Sequence, residues 1–161
     1  MTIEVADFRK AMRHLTAAVN IITAHKDGID FGITATAVCS VTADPPSILV
    51  CVNKSTSTHD AIAHSGVYAV SLLSSDDVAV SNAFGDTTRT DRFELGKWRR
   101  NEQSVLELET AVVNFDCRVT AQVPAGSHSI FVGQIENVTV NAEKDTLIFG
   151  GGKYCSALQP L

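Results

Sequence analysis

Residues 32–58 constrain the fold more than any other part of the chain: GITATAVCSVTADPPSILVCVNKSTST. Residues 33–41 are small or β-branched, which predicts a strand that packs closely against a flat surface. Asp44, Pro45 and Pro46 end this strand, because proline has no N–H to donate to a sheet. The apolar run 47–52 predicts a second, buried strand. Six polar residues, 53–58, follow as a loop rich in hydrogen-bond donors.

The polar loop 53–58 directly precedes a predicted helix. Free N–H groups at a helix N-terminus, together with hydroxyls and Lys54, can form an anion site. A strand of small residues that leads into such a loop suits a planar cofactor that carries a phosphate. A solvated polar turn is the alternative. Other phosphate motifs are lacking: the segment 150–153, GGGK, does not have P-loop spacing, and no G-x-G-x-x-G opens a helix.

Composition limits the class of protein. The chain has 161 residues, of which 45% are hydrophobic and 19% charged, so we expect a single domain spanning 1–161. A net charge of −5 argues against a nucleic-acid partner. No apolar run approaches the ~18–20 residues of a membrane span, and the N-terminus has no signal-peptide pattern, so we expect a cytoplasmic protein with no membrane partner.

The four cysteines are scattered and have no metal-binding spacing. Cys39, Cys51 and Cys117 lie in apolar runs, which predicts buried, reduced thiols and no metal site.

The first half of the chain predicts three short helices between strands. Residues 7–15 place Phe8, Ala11, Met12 and Leu15 on one helical face, with Asp7 as N-cap. Residues 19–24 and 67–73 predict strands. Residues 59–64 predict a helix capped by Ser57 or Thr58, and residues 75–84 predict another helix.

The second half predicts mostly strand. Residues 85–101 are polar but contain Phe93 and Trp98, so we expect an ordered surface excursion. Residues 111–123, 129–142 and 146–149 predict strands, and the alternation in the first predicts one solvated face that carries Asn114 and Asp116. Six or seven strands with few helices favour a mainly β fold, a closed or nearly closed antiparallel barrel, over a doubly wound sheet.

His128 follows a Pro-Ala-Gly-Ser turn and would project from a barrel rim; a structural histidine is the alternative. A serine hydrolase is disfavoured, because the G-x-S-x-G motif is incomplete and a serine and histidine adjacent on one strand would point to opposite faces.

Six segments, in order, resemble the flavin reductase-like family of the FMN-binding split barrel, which includes reductase components of two-component flavin monooxygenases. The segments are FRKAMRHLTAAVNIITA, GITATAVCSVTADPPSILVCVNKSTS, SNAF…DRF…W, NFDCRV, GSHSIFVGQIENV and GGKY. The resemblance implies a homodimeric, six-stranded antiparallel Greek-key split barrel. It also implies NAD(P)H-dependent reduction of free FAD or FMN, with NADH the expected donor. The reduced flavin would serve a separate oxygenase component that acts on an aromatic or heterocyclic substrate.

The resemblance also implies site residues. Those expected to contact the flavin ring are Thr34, Ala35, Thr36, Ala37, Ser40 and Val41. Those expected to hold the ribityl chain and phosphate are Cys51, Asn53, Lys54, Ser55 and Ser57. Phe84 is expected near the flavin tail, Tyr154 near the dinucleotide, and His128 as the catalytic residue beside the nicotinamide. Judged from composition alone, Phe84 and Trp98 fit core or dimer contacts better.

The expected reaction explains the small residues at 34–37. Hydride transfer between two stacked rings needs close approach and exclusion of water rather than a nucleophile.

The alternatives are a split-barrel protein that holds FMN tightly and acts on its own substrate, and a non-catalytic flavin- or haem-binding module. Haem is disfavoured, since no His or Cys lies in an obvious ligating context. Four arginines could hold an adenine-nucleotide phosphate: Arg89, Arg92, Arg99 and Arg100.

Overall fold

A computed structural model describes residues 3–156. Its helices are α1 (Val5–Met12), α2 (Ser57–Ser65) and α3 (Val78–Gly85), with 3₁₀ turns at Ser75–Asp77 and Arg92–Glu94. Its first six strands are β1 (Ala17–Ala18), β2 (Asn20–Lys26), β3 (Ile29–Ala35), β4 (Val38–Ala43), β5 (Pro46–Asn53) and β6 (Val67–Leu72). The other six are β7 (Trp98–Arg100), β8 (Leu106–Leu108), β9 (Val113–Ala125), β10 (His128–Val140), β11 (Ile148–Gly150) and β12 (Lys153–Cys155).

Seven strands form one antiparallel sheet in the order β3-β2-β6-β9-β10-β5-β4. Strands β1, β11 and β12 form a small second sheet, and β7 and β8 form a hairpin. The mainly β fold and the antiparallel pairing predicted from sequence are confirmed. The main sheet, however, has seven strands where the resemblance implied six.

The two edges of the main sheet meet at one corner. Residues 33–41 do not form one strand as predicted, because the chain leaves β3 at Ala35 and enters β4 at Val38. β3 pairs with β2, whereas β4 pairs with β5 at the opposite edge. Three Cα–Cα steps span at most about 11 Å, so the sheet must curl until its edges approach each other here. Within residues 3–156 no ladder of backbone hydrogen bonds joins β3 to β4.

The curled sheet encloses a core of fully buried side chains that includes Ile22, Val50, Tyr68 and Phe131. A second cluster lies between the sheet, α3 and the segment 85–98. Phe84, Phe93 and Trp98 pack there with ring centroids 4.9–5.3 Å apart. The prediction of an ordered excursion over 85–101 is therefore confirmed.

Two helix starts differ from the prediction. α1 begins at Val5 with Glu4 as N-cap, and none of its side chains is buried. Its predicted apolar face exists but is exposed: Phe8 is 56% and Met12 43% accessible. α2 is capped by Thr56 rather than by Ser57 or Thr58, because the extended backbone of Thr56 lets its hydroxyl accept the N–H of His59.

The predicted solvated face of β9 is wrong at two positions. Asn114 and Asp116 are buried. Asn114 donates to the carbonyl of Leu108 on β8, and Asp116 accepts from Asn101 in the β7–β8 hairpin. The hairpin covers this part of the sheet, a long-range contact that alternation in one strand cannot reveal.

The cysteine prediction is confirmed for Cys117, which is buried. It is wrong for Cys39, which is exposed because β4 is an edge strand, and Cys51 is half-buried. All four cysteines are free. No group of potential metal ligands occurs among residues 3–156. No helix in that range is long and apolar enough to cross a membrane.

Candidate functional site

A cavity of about 560 Å³ lies beside β3, between that strand, the start of α2 and the segment 87–93. We call it the phosphate-side cavity. Its lining comprises Asp30, Phe31, Gly32, Ile33, Ser55, Thr56, Ser57, Thr58, Thr87, Arg89, Thr90, Arg92 and Phe93. The predicted residues Ser55 and Ser57 are both in this lining.

The N-terminus of α2 supplies donors to the phosphate-side cavity. Thr56 satisfies the N–H of His59 with its side chain and backbone oxygens. The N–H groups of Ser57 and Thr58 have no acceptor within the described part of the chain. Unsatisfied N–H groups at a helix start carry partial positive charge, and here they lie among hydroxyl groups. This donor set fits a phosphate group.

Arg92 adds a full positive charge. Its guanidinium donates to the carbonyl oxygens of Gly32 at 3.1 Å and Arg89 at 3.0 Å, and no carboxylate pairs with it among residues 3–156. Arg89, in contrast, forms a two-bond ion pair with Asp91 at 2.8 and 2.6 Å. Arg92 therefore forms no ion pair within the described residues, although its charge helps to lower the pKa of Asp86, and it lines the same cavity as the start of α2.

The other two candidate arginines have structural partners. Arg99 pairs with Glu107 at 2.8 Å and Arg100 with Asp30 at 2.7 Å. Burial alone would raise the pKa of Asp30, but hydrogen bonds from Arg100 and His25 outweigh burial and lower this pKa. The Asp30 end of the cavity is consequently neutralised rather than cationic, which places the anion site at the Arg92 end.

A second cavity, of about 210 Å³, continues along β3, and we call it the ring slot. Its lining comprises Val19, Thr34, Ala35, Thr36, Ser81, Phe149 and Tyr154. The slot has small side chains from β3 on one side and the two aromatic rings on the other. Phe149 and Tyr154 meet edge to face at 5.3 Å. Such a lining fits the planar ring of a flavin or a nicotinamide.

Lys54 lies outside the lining of both cavities. Its ammonium group donates to the carbonyl oxygen of Gly126 at 2.8 Å, and its N–H donates to that of Ser127 at 3.0 Å. These bonds tie the loop before α2 to the turn before β10. Asn53 acts on the same loop, since its side chain accepts the N–H of Ser55 at 2.9 Å.

His128 begins β10, directly opposite Asn53 on β5, and is half-buried. Its Nδ1 lies 2.9 Å from the hydroxyl oxygen of Ser127. The prediction that an adjacent serine and histidine cannot meet is therefore wrong for this pair, because Ser127 lies in the turn and not on the strand. No carboxylate contacts His128 within the described residues, so the pair lacks the third member of a hydrolytic triad.

Eight predicted residues line neither cavity: Ala37, Ser40, Val41, Cys51, Asn53, Lys54, Phe84 and His128. Phe84 is 1% exposed and packs in the core against Phe93 and Trp98. Ser40 and Val41 are exposed on the edge strand β4. Cys51 is half-buried on β5, where its N–H donates to the carbonyl of Ala37 at the corner.

Comparison with known proteins bears on what these cavities hold. The chain matches the flavin reductase like domain over residues 12–158. The chain belongs to this family. It is 38% identical over 154 residues to the reductase component of FADH(2)-dependent resorcinol hydroxylase from Rhizobium sp. (strain MTP-10005), covering 94% of this chain and 86% of that protein. It is 39% identical over 156 residues to the FMN reductase (NADH) RutF of Variovorax paradoxus (strain S110), covering 96% and 87%.

Among solved structures, the flavin reductase PheA2 superposes with a TM-score of 0.87 at 28% identity, covering 98% of this chain and all of that chain. The flavin reductase component of a bacterial two-component tryptophan halogenase, BorF, gives a TM-score of 0.89 at 25% identity, covering 98% and all of that chain. The family resemblance read from six sequence segments is thus confirmed.

For a flavin reductase like domain, sequence reasoning missed several residues that line the cavities. These are Gly32, Ile33, Thr56, Thr58 and Ser81, whereas Arg92 was considered only for an adenine-nucleotide phosphate. Arg92 lies within the DRF of the quoted family pattern and Ser81 begins SNAF, so both carried a signal. The contribution of Thr56 follows from its role as N-cap.

Proposed function

We propose that the protein is an NADH-dependent reductase of free FAD or FMN that supplies reduced flavin to a separate monooxygenase component. The observation that carries this proposal is that the consecutive residues 30–36 line two cavities in turn. Residues 30–33 face a cavity with the hydroxyl-rich start of α2 and Arg92, and the small residues 34–36 line a ring-sized slot. Relatives at 38–39% identity over more than nine tenths of the chain are named as flavin reductases or reductase components, which supports the same function.

The proposed site divides into two parts. Thr34, Ala35, Thr36 and Ala37 form the corner of the sheet beside the ring slot, where side chains are small enough for a ring to approach the backbone. Ser55 and Ser57, the start of α2 and Arg92 hold the phosphate. A bound flavin supplies the hydride acceptor, and the chain supplies no nucleophile.

The remaining proposed residues position the loop and the second ring. Asn53 and Lys54 fix the loop before α2, and Cys51 fixes the corner at Ala37. His128 borders the loop opposite Asn53, where it could orient the nicotinamide or stabilise charge on the reduced ring. Ser40 and Val41, on the exposed edge strand, and Tyr154, at the slot, complete the proposed contacts; Phe84 would act only indirectly, by packing beneath Gly32.

The test is NADH oxidation by flavin-stripped protein, with FAD or FMN added in separate runs. Oxidation of many equivalents of NADH that depends on added flavin supports the proposal and ranks the two flavins; a parallel run with NADPH ranks the donors. Tight flavin retention without such turnover favours the alternative, a protein with bound FMN and its own substrate. Flavin binding with no redox chemistry favours a non-catalytic module.

We also propose an oxygenase partner that acts on an aromatic or heterocyclic compound. The resorcinol hydroxylase reductase component supports the aromatic class. A protein of this class would release its reduced flavin, and transfer is measured as product formed by an oxygenase held behind a dialysis membrane that only flavin crosses.

We further propose a cytoplasmic homodimer of one domain spanning 1–161. The exposed apolar side chains near the N-terminus support a second copy as partner: Ile3, Val5, Phe8, Met12 and Leu15. Four free cysteines suit a reducing compartment. The family match over 12–158 suits a single domain.

A further inference from the structure

Helix α3 reaches the ring slot through one buried residue. Ser81 is fully buried, and its carbonyl oxygen accepts the hydroxyl of Thr34 at 2.6 Å. Its own hydroxyl lies 3.0 Å from the hydroxyl of Tyr154. Ser81 therefore touches both walls of the slot, the small-residue wall of β3 and the aromatic wall of β12.

The direction of these hydrogen bonds is fixed by a third group. The Tyr154 hydroxyl also lies 3.0 Å from Oδ1 of Asn82, an oxygen that can only accept. Tyr154 must then donate to Asn82 and accept from Ser81. Its hydroxyl group donates one hydrogen bond, to Asn82, and accepts another, from Ser81. Two bonds from one helix thus fix the position of the phenol.

The other restraints on Tyr154 are apolar packing and a short strand pairing. Its ring packs against the buried cluster that contains Phe84. β12 has three residues and pairs only with the equally short β11 in the described sheet. The ring of Tyr154 is half-buried and meets Phe149 at its edge. Without these two hydrogen bonds, the distance between Tyr154 and the β3 wall would depend on apolar packing and on the three residue pairs between β11 and β12. Within the described residues, Ser81 and Asn82 provide the only side-chain hydrogen bonds that hold the Tyr154 hydroxyl at the slot.

We propose that Ser81, together with Asn82, is a positioning residue that holds Tyr154 as a fixed wall of the ring slot, so that a planar heteroaromatic ring enters a preformed space. This inference rests on the proposed function, which supplies the two candidate rings, flavin and nicotinamide. Preorganisation acts on binding, because a wall that is already ordered loses no freedom when the ring arrives. The readout is accordingly a KM that rises without a matching fall in kcat.

The experiment is a double-mutant cycle of Ser81→Ala and Tyr154→Phe, with steady-state KM and kcat for flavin and for NADH. Loss of one neutral hydrogen bond predicts a KM about threefold to tenfold higher for one of the two ring substrates, with kcat within about twofold. If Ser81 acts through Tyr154, the double variant shows no more than the Tyr154→Phe effect. The affected KM identifies the ring that occupies the slot.

Ser71→Ala is the matched control. Ser71 is fully buried, and its hydroxyl accepts the N–H of Leu108 at 3.2 Å, outside both cavities. This variant should lower the melting temperature and leave both KM values unchanged. Additive effects of Ser81→Ala and Tyr154→Phe, or no change in either KM, would overturn the inference.

Failure of the proposed function is a separate outcome. It would appear as a wild-type protein that oxidises no NADH with either flavin. In that case the same cycle is measured as the dissociation constants of FAD and NAD⁺, from quenching of protein fluorescence. If Ser81→Ala weakens the binding of FAD or NAD⁺, and does not do so in the Tyr154→Phe background, the positioning role of Ser81 is still supported. If Ser81→Ala weakens neither, that role is still overturned.

Discussion

Glu107 lies on β8 of the β7–β8 hairpin, and only 2% of its surface is exposed, so its carboxyl group is enclosed. Its Oε2 accepts from Arg99 at 2.8 Å, whereas its Oε1 has no partner among the described residues. Burial, and then the neighbouring Asp116 carboxyl, raise the pKa of Glu107 to about 7 despite Arg99. The folded protein therefore keeps a proton on Glu107 at pH values where the unfolded chain has released it.

Glu107→Gln should flatten the pH dependence of stability. Between about pH 4.5 and 7 the folded state binds more protons than the unfolded state, so wild-type stability falls as pH rises through this window, by on the order of 3 kcal/mol from this group. Glutamine does not titrate, so the unfolding free energy of the variant should rise relative to that of the wild type as pH rises. Urea unfolding at pH 5 and pH 8 measures this. The control is Glu136→Gln, whose exposed carboxyl has its pKa lowered by Arg118; identical pH slopes for wild type and Glu107→Gln would contradict the prediction.

Arg92→Ala should weaken recognition of the flavin phosphate. A hydrogen bond to a charged group is worth about 1.5–3 kcal/mol, so the KM for FMN should rise tenfold or more. Riboflavin has no phosphate, and its KM should stay within about twofold of the wild-type value. Arg118→Ala is the control, because Arg118 is an exposed arginine paired with Glu136 away from both cavities. An equal rise for riboflavin would show that Arg92 supports the fold rather than the phosphate.

His128→Ala should lower the turnover of NADH and leave flavin affinity within a few-fold. The reason is its place opposite Asn53, beyond the lining of the phosphate-side cavity. Rates under saturating flavin and flavin binding are measured on the same preparation. The matched substitution is His64→Ala, at an exposed position in the last turn of α2. Unchanged turnover in His128→Ala would remove this histidine from the site.

At the scale of elements, α2 offers a comparison between its two ends. Thr56 caps the N-terminus beside the phosphate-side cavity, and Gly66 ends the helix in a left-handed conformation with φ of 70°. Thr56→Ala and Gly66→Ala should each cost about 1 kcal/mol of unfolding free energy, through a lost cap and through backbone strain. Only Thr56→Ala should also raise the KM for FMN. If both variants raise it equally, the start of α2 is not a phosphate site.

Elements were predictable from sequence where local pattern decides them. The turn after Asp44, the buried strand that follows it and the presence of a helix after residue 56 follow from proline, the apolar run and the polar loop, and all three are observed. The corner at residues 36–37 was not predictable, since Ala37 continues the same strand-like composition and only pairing with opposite sheet edges separates β3 from β4. Asn114 was misread for a similar reason, because its cover comes from a hairpin distant in sequence.

At the scale of the whole molecule, the site could be predicted only in outline. The resemblance pointed to Thr34 and Ser57 as parts of one site, and both line cavities along β3. It could not place Phe84 beneath that strand, where it touches the position of Gly32 rather than a cavity. Family patterns preserve the order of residues in the chain, whereas the direction of each side chain depends on the packing of α3 against the curled sheet.

The exposed face of α1 carries the last prediction, which concerns assembly. No side chain of α1 is buried, although Phe8 and Met12 are apolar, and the apolar Leu15 that follows the helix is exposed as well. Burying such surface against a second copy would yield roughly 25 cal/mol per Å². Phe8→Glu should therefore shift the protein from dimer towards monomer in sedimentation velocity. The urea midpoint should fall only by what dimerisation contributes, because Phe8 contributes nothing to the core within one chain. Lys10→Glu is the control, since it introduces an acid on the same helix without removing an apolar side chain. A monomeric wild type would contradict the proposed dimer, and a Phe8→Glu variant that stays dimeric at micromolar concentration would show that α1 is not its interface.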